Sequence, residues 1–308
     1  MVSDEAAIIG WLMEGDPAIR WQVMRDLLRR PEREVTAERT RVEHEGWGAD
    51  VLRRQHDDGS WGPHVYAKWN GTFYTMLVLR DLGLPSDHPA ARQAARLILD
   101  AGYRANDGGL RFNKTWEFSE ACLGGMGMAI LARFGADDAR MPKLADYLAR
   151  EQMPDGGWNC RRPRGATHAS FHTTICVLEG LLEWERRSGD GEVRDLRERA
   201  HEFLFTHRLY RSHRTGAVIK DEWTRLHFPP HYHYDVLRGL DYLQAAAAPR
   251  DERVSDAIDL LQSRRKPDGC WRLNAGYPGT ESLPMERPGE PSRWNTLRAL
   301  RVLKWWEK

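Results

Sequence analysis

A seven-residue pattern, written four times, constrains this chain more than any other feature. QHDDGSW (55–61), RANDGGL (104–110), QMPDGGW (152–158) and RKPDGCW (265–271) place their Asp-Gly markers at Asp58, Asp107, Asp155 and Asp268, in steps of 49, 48 and 113 residues. A fixed period of this length is the mark of a repeat architecture, in which one supersecondary unit recurs and buries its apolar face on its neighbours. The last step spans about two periods, so a degenerate unit is expected inside it, with Thr215-Gly216 and the following Trp223 as its remnant. Glycine after Asp permits a tight turn, the Asp carboxylate can bond the loop backbone, and Trp can fill the wedge between adjacent helices. Asp58, Trp61, Asp155, Trp158, Asp268 and Trp271 are therefore read as structural. The pattern also absorbs part of an unusual composition, 13 Trp against 9 Tyr and 8 Phe.

Helical periodicity flanks every marker, which makes the unit helix, Asp-Gly loop, helix. Twelve helices are expected, at 4–14, 16–30, 35–55, 69–83, 88–102, 116–134, 138–152, 169–187, 190–207, 231–246, 251–264 and 291–306, with caps at Asp16-Pro17, Asp87 to Pro89 and Asp137. The second helix of each unit is sparsely charged (TFYTMLVL, ACLGGMGMAILA, FHTTICVLEGLL), whereas the first carries one apolar stripe (AARQAARLILDAG). Mostly apolar helices must be covered by others. The expected fold is therefore all-α, a closed ring of six inner and six outer helices forming a single domain over 1–308, with 1–50 as its divergent N-terminal helices. An open solenoid is the alternative that uses the same unit.

Several function classes are disfavoured. With 46 basic and 45 acidic residues the net charge is +1, so the electrostatic footprint of a nucleic-acid binder is missing. The start, MVSDEAAIIGWLMEGD, is acidic and has neither the basic nor the apolar region of a signal peptide, and the longest uncharged stretch, 121–132, is too short for a membrane span. The four cysteines form no CxxC pair, so a cytoplasmic protein without disulfides is expected; Cys122 and Cys176 are read as small core residues. No GxGxxG or P-loop pattern occurs, which leaves no support for a nucleotide cofactor.

The QxxDGSW and QxxDGGW copies resemble the QW motif of the prenyltransferase and squalene-oxidase repeat family, which includes terpenoid cyclases and protein prenyltransferase β subunits. Where Gln is missing, Arg104 and Arg265 keep a hydrogen-bond donor. The resemblance covers roughly residues 50–308 and implies an (α/α)6 toroid with a central cavity. The DxDD acid motif of proton-initiated cyclases and the DDxxD diphosphate motif are both absent from the sequence, so neither standard cyclase chemistry is expected.

Candidate chemistry gathers where inner helices begin. NCRRPRGATHASFHTTICVLEGL and LHFPPHYHYDVLRGLDYL place Cys160, His168 and His172, then His227, His231, His233 and Asp235, near two successive helix starts. His172 and His231 each lie eight residues before a Gly-Leu pair, at Gly180 and Gly239, and are read as equivalent positions. His, Cys and Asp are zinc-type ligands, and SFHTTICVLEGL is similar to the helix start that carries a zinc-binding His in protein prenyltransferase β subunits. The expected metal ligands are Cys160, His172 and His233, with His231 and His168 as substitutes; Asp235 would orient a ligand or act as a base, with His231 as its acid–base partner. Glu120 opens an otherwise apolar helix, and two readings stay open for it: a general acid raised by burial, or a simple helix cap. Gly124, Gly125 and Gly127 point to close helix packing or a flat cavity wall.

Trp69, Phe73, Trp116, Phe171, Tyr234 and Trp294 fall near inner-helix starts and are the expected substrate-binding aromatics, with Tyr74, Phe118 and Tyr232 beside them. The leading expectation is an enzyme acting on a hydrophobic, isoprenoid-like or aromatic small molecule in a central cavity, with zinc at the rim or with acid–base catalysis alone. The alternatives are a non-catalytic toroid that binds lipid or protein, and a carbohydrate-active hydrolase or lyase.

Overall fold

The computed structural model describes residues 2–135, 138–279, 281 and 283–307, and these fold into thirteen α-helices with no strand among them. The helices are α1 (Val2–Met13), α2 (Pro17–Gln22), α3 (Glu32–Thr40), α4 (Gly46–Leu52), α5 (Thr72–Leu82), α6 (Pro89–Gly102), α7 (Ala121–Phe134), α8 (Met141–Arg150), α9 (Phe171–Ser188), α10 (Gly191–Thr206), α11 (Val236–Ala245), α12 (Ser255–Ser263) and α13 (Arg293–Trp306). A π-helical segment, Val23–Leu27, continues α2. The helix expected over 35–55 is two, because the chain turns at Gly46 (φ +62°) and Asp16 accepts from both the Ala18 and the Trp47 backbone N–H, tying the start of α2 to that of α4. The cap expected at Asp137 lies outside the described residues.

Six helices, α2, α5, α7, α9, α11 and α13, each pack against the next, and α13 packs back on α2 and its π-helical continuation; α5 and α7 are sparsely charged as expected, whereas α9 and α13 carry five and four charged side chains. Outside this cycle, α4, α6, α8, α10 and α12 alternate with them along the chain. The tightest crossing is α7 on α9. A β-carbon added at Gly125 would stand 2.5 Å from the Val177 backbone, and one at Gly180 would stand 2.2 Å from the Gly125 carbonyl oxygen, so two backbones meet where neither helix carries a side chain.

The Asp-Gly loops share one geometry. Gly59, Gly108, Gly156 and Gly269 hold φ between 79° and 90°, and Gly216, in the degenerate unit, holds 70°. The indole N–H groups of Trp61, Trp158 and Trp271 donate to the carbonyls of Val51, Leu148 and Leu261 at 2.8, 2.7 and 2.7 Å, so each loop clamps the last turn of the preceding outer helix. Their backbone N–H groups donate to the hydroxyls of Thr72, Thr174 and Thr296 in the first turn of the following inner helix. Gln55 and Gln152 close their own loops on Gly59 and Gly156 and also reach the next outer helix at Ala90 and Leu196. Arg265 donates to Gly269 in the same way, whereas Arg104 turns to Tyr103 and Arg111.

Toward the ends of these six helices the interior is ionic. Arg238 (3% exposed) forks onto Glu179 with two 2.8 Å bonds, Arg80 reaches Asp81 at 2.7 Å and Glu179 at 3.6 Å, and Asp241 takes both Arg298 and Arg301. Burial pushes the Glu179 and Asp241 carboxyls up, but the adjoining guanidiniums outweigh it and hold both below their ordinary values. A cavity of about 550 Å³ lies on these groups and opens where the inner helices end.

Candidate functional site

The opposite end, where the inner helices begin, brings together Glu120, Cys122 and Cys160. Glu120 is the N-cap residue of α7, yet its side chain makes no capping bond. Burial raises its carboxyl to about 7, and the neighbouring Cys160 charge adds to the rise against the pull of Arg164 and Lys68. Cys122, the second residue of α7, hydrogen-bonds the Cys160 thiol, which arrives from the loop following Trp158. That bond, with the Thr173 hydroxyl and the Arg161 charge, outweighs burial and holds Cys160 well below the usual thiol range, while Cys122 is pushed well above it. Thr173 is placed by the first turn of α9, where the Cys160 backbone N–H donates to its hydroxyl at 3.4 Å. A thiolate-prone sulfur on the loop that leads to α9 and a carboxyl that keeps its proton near neutrality at the start of α7 thus share one spot.

Aromatic groups and cations border this spot. The Arg164 guanidinium lies 4.1 Å from the Trp116 ring centroid and 5.4 Å from that of Phe118, and Lys68 lies over Trp69 and Tyr232. Tyr66 stacks on Phe112 at 5.1 Å with its edge to Phe73. Of the six aromatics expected to bind substrate, Trp116 alone is half-buried. Trp69, Phe73, Phe171, Tyr234 and Trp294 are between 0 and 5% exposed and pack within the protein: Trp69 donates to Pro278, Tyr234 donates to Leu209, and Trp294 stacks on Phe228 at 4.0 Å.

Cys160, His172 and His233 do not converge as metal ligands. Cys160 is engaged by Cys122 and Thr173, and His172 Nδ1 accepts the Tyr234 N–H at 2.8 Å, which leaves the proton of its neutral ring on Nε2. His233 is stacked between Tyr277 at 3.3 Å and Tyr232 at 4.0 Å, with its ring perpendicular to His172. Among the described residues no group of three or more His, Cys, Asp or Glu side chains could hold a metal ion. Burial lowers His172 to about 4 and, with His172, His231, Arg238 and Lys68 nearby, lowers His233 to about 2. His168, the other substitute ligand, is exposed on a groove of about 900 Å³ between α9, α10 and the loop 212–220, which His172 and Phe171 also line.

His231 is not the counterpart of His172. It precedes the α11 N-cap by four residues with φ +50°, stacks on Trp69 at 4.2 Å and bonds Glu281 at 2.9 Å. Asp235 is that N-cap: it accepts from the Arg238 and His227 backbone N–H groups and is 1% exposed, so its oxygens are committed to holding the helix start. Cys122 packs against the core as expected and also meets Cys160; Cys176 is buried in the core as expected.

The sequence reading passed over Thr173, Glu281 and the central ion pairs. The pairs carry a usable signal, because Glu179, Arg238, Asp241, Arg298 and Arg301 are charges set into otherwise apolar helices. Thr173 and Glu281 carry none, as neither stands out from its local sequence.

No family model matches the chain, and no curated protein does. Among solved structures, the crystal structure of a protein from Actinoplanes has 16% identity, covers 95% of this chain and 90% of its own, and reaches a TM-score of 0.50, which shows a shared fold. The type II terpene cyclase MstE from Scytonema has 15% identity over 87% of this chain and 96% of its own at a TM-score of 0.36. A polysaccharide lyase has 13% identity over 87% of each chain at 0.48. Overlays as loose as the last two carry no argument about chemistry. Among the described residues no helix is long and apolar enough to cross a membrane.

Proposed function

We propose that the chain is an (α/α)6 toroid enzyme that works at the mouth where its inner helices begin, with Cys160 as nucleophile and Glu120 as general acid. The observation that carries this reading is the pairing of a lowered thiol, on the loop before α9, with a raised carboxyl at the start of α7, the environment-driven separation that assigns base and acid roles. The toroid reading, and with it kinship to the terpenoid cyclase and prenyltransferase repeat, is supported by the unbroken cycle of helix contacts and by the loop bonds repeated from unit to unit.

The Cys160 thiolate would add to an electrophilic carbon, and Glu120 would deliver its proton to the atom that receives the displaced electron pair. Trp116, Phe118 and the Tyr66–Phe112 stack suit an apolar or aromatic small molecule, and Lys68 and Arg164 suit a developing negative charge on it. Alkylation of Cys160 by iodoacetamide, followed site by site in a mass spectrometer against pH, tests the pairing. Reaction that is already fast near neutrality and slower in Cys122→Ala, which loses the S–H donor, is expected. A Cys160 rate that climbs only through pH 8 to 9, as for an ordinary thiol, rules the reading out.

A further inference from the structure

The arginine-rich cavity at the other end of the ring is not used by that chemistry. It touches all six inner helices and α3, and the described residues lining it include eight arginines against five carboxylates. Its deeper arginines, Arg80, Arg238, Arg298 and Arg301, are matched by Asp81, Glu179 and Asp241. Arg39 and Arg133 are not. Arg39 donates to the Gly83 carbonyl at 2.7 Å and to the Leu84 carbonyl at 3.4 Å, and Arg133 donates to the same Leu84 oxygen at 2.8 Å while its buried Nε has no partner. Neither has a carboxylate within ion-pair distance among the described residues, and Arg25 lies over the same Trp21 ring as Arg39, at 4.6 and 5.2 Å. A helix C-terminus favours one nearby cation, which accounts for Arg133 at the end of α7. It does not account for a second guanidinium, brought from α3 onto the same oxygen.

We infer that this end of the ring binds a phosphate-bearing anion, with Arg39 and Arg133 as its principal ligands. Glu183, on the same cavity wall, offsets the charge of Arg39 only from beyond ion-pair distance; two guanidiniums that converge with no carboxylate in contact repel each other until an anion lies between them, and their forked donors match phosphate oxygens. A phosphate group offers three such acceptors, enough for several guanidiniums at once, whereas a carboxylate offers two oxygens that a single arginine can occupy. The cavity has the size of an ordinary small-molecule site, and Phe228 and Trp294, stacked at 4.0 Å, also line it where an organic portion of the ligand could rest.

Isothermal titration of the whole protein with inorganic pyrophosphate at low salt tests the site, with citrate as the carboxylate comparison. Expected are pyrophosphate binding that weakens steeply with added salt, at least a tenfold loss of affinity in Arg133→Gln and in Arg39→Gln, and citrate binding at least tenfold weaker than pyrophosphate. Arg133→Lys, which keeps the charge and removes the fork, separates forked recognition from bulk attraction and serves if the Gln variants fold poorly; it should lose most of the affinity. Absence of pyrophosphate binding to the wild type, undiminished binding in a folded Arg39→Gln/Arg133→Gln double variant or in Arg133→Lys, or citrate binding as tight as pyrophosphate each overturns the inference. Cys160 alkylation plays no part in this experiment, so the two proposals stand or fall separately.

Discussion

Replacing Gly125 by Ala sets two opposed effects against each other at one atom. Alanine is the better helix former, and in an exposed helix interior the exchange stabilises by ~1 kcal/mol. At Gly125 the new carbon would stand 2.5 Å from the Val177 Cα and N and 2.6 Å from the Cys176 carbonyl carbon, whereas carbon contacts settle at about 3.5–4.0 Å. Relief requires α9 to move away by about 1 Å, because the obstructing atoms are backbone and no side-chain rotation removes them. Overpacking costs typically ~1–3 kcal/mol, and an unyielding neighbour places this one at the upper end. The net expectation is ~2 kcal/mol of destabilisation, a fall in melting temperature of roughly 4 °C or more. Gly10→Ala is the matched control, since a β-carbon there meets nothing within 4 Å, and it should raise stability by up to ~1 kcal/mol. Thermal unfolding followed by circular dichroism measures both. A Gly125→Ala protein that melts at or above the wild-type temperature refutes the reasoning. The same displacement would draw Thr173 on α9 away from Cys160, so Cys160 alkylation at pH 7 should slow in parallel.

Other perturbations separate structural from chemical residues. Trp158→Ala removes a fully buried indole and its bond to Leu148 and should cost ~3–5 kcal/mol, whereas Trp116→Ala should leave the melting temperature nearly unchanged and reduce binding of aromatic compounds at the mouth, detected by ligand titration. Asp241→Asn leaves Arg298 and Arg301 without their shared counter-charge and should cost ~3 kcal/mol, an effect that 0.5 M salt barely reduces; strong screening in denaturant titrations contradicts the buried placement. Glu120 has its folded value raised to about 7, so its contribution is fully present below the ordinary value of 4.5 and is lost as pH rises through 7. Glu120→Gln should therefore gain up to ~3 kcal/mol over wild type at pH 8 and little at pH 4, by denaturant unfolding at each pH. His172 and His201, lowered to about 4 by burial, and His233, lowered to about 2, act in the other direction: the stability they contribute is present above 6.5 and is lost on acidification below it. A denaturation midpoint identical at pH 7 and pH 5 would contradict their burial as neutral rings.

The loops were legible because their logic is local. Within one window the Asp-Gly turn, the Trp and the flanking helices specify one another, and even the degenerate unit kept a left-handed glycine at Gly216. Glu120 was legible for a related reason, as a charge opening an apolar helix. The histidines were misread because counting from Gly180 and Gly239 assumed that α9 and α11 begin alike. Asp235 delays the start of α11, so Gly239 is four residues past its cap while Gly180 is ten past Ser170, and His231 falls outside the helix. The Cys122–Cys160 contact could not be read locally, since it joins the start of α7 to a loop beyond α8. A sequence does not distinguish an aromatic ring that faces a cavity, as Phe171 and Trp294 do, from one that faces another ring, as Trp69 faces His231.

The closing seam between α13 and α2 sets an order on how the ring can be made. Arg301 reaches Gln22 at 3.0 Å and Asp26 at 3.3 Å, Lys304 donates to the Leu27 carbonyl, and Arg293 donates to Trp11 at 3.1 Å. Once α9 has been made, α7 has the helices it packs on most, α5, α6, α8 and α9, while Gln22, Asp26 and the Leu27 carbonyl still wait for a helix that starts at residue 293. Helices α1 and α2 are thus enclosed only after α13 has been made, and until then they stay accessible to chaperones and to each other in neighbouring chains.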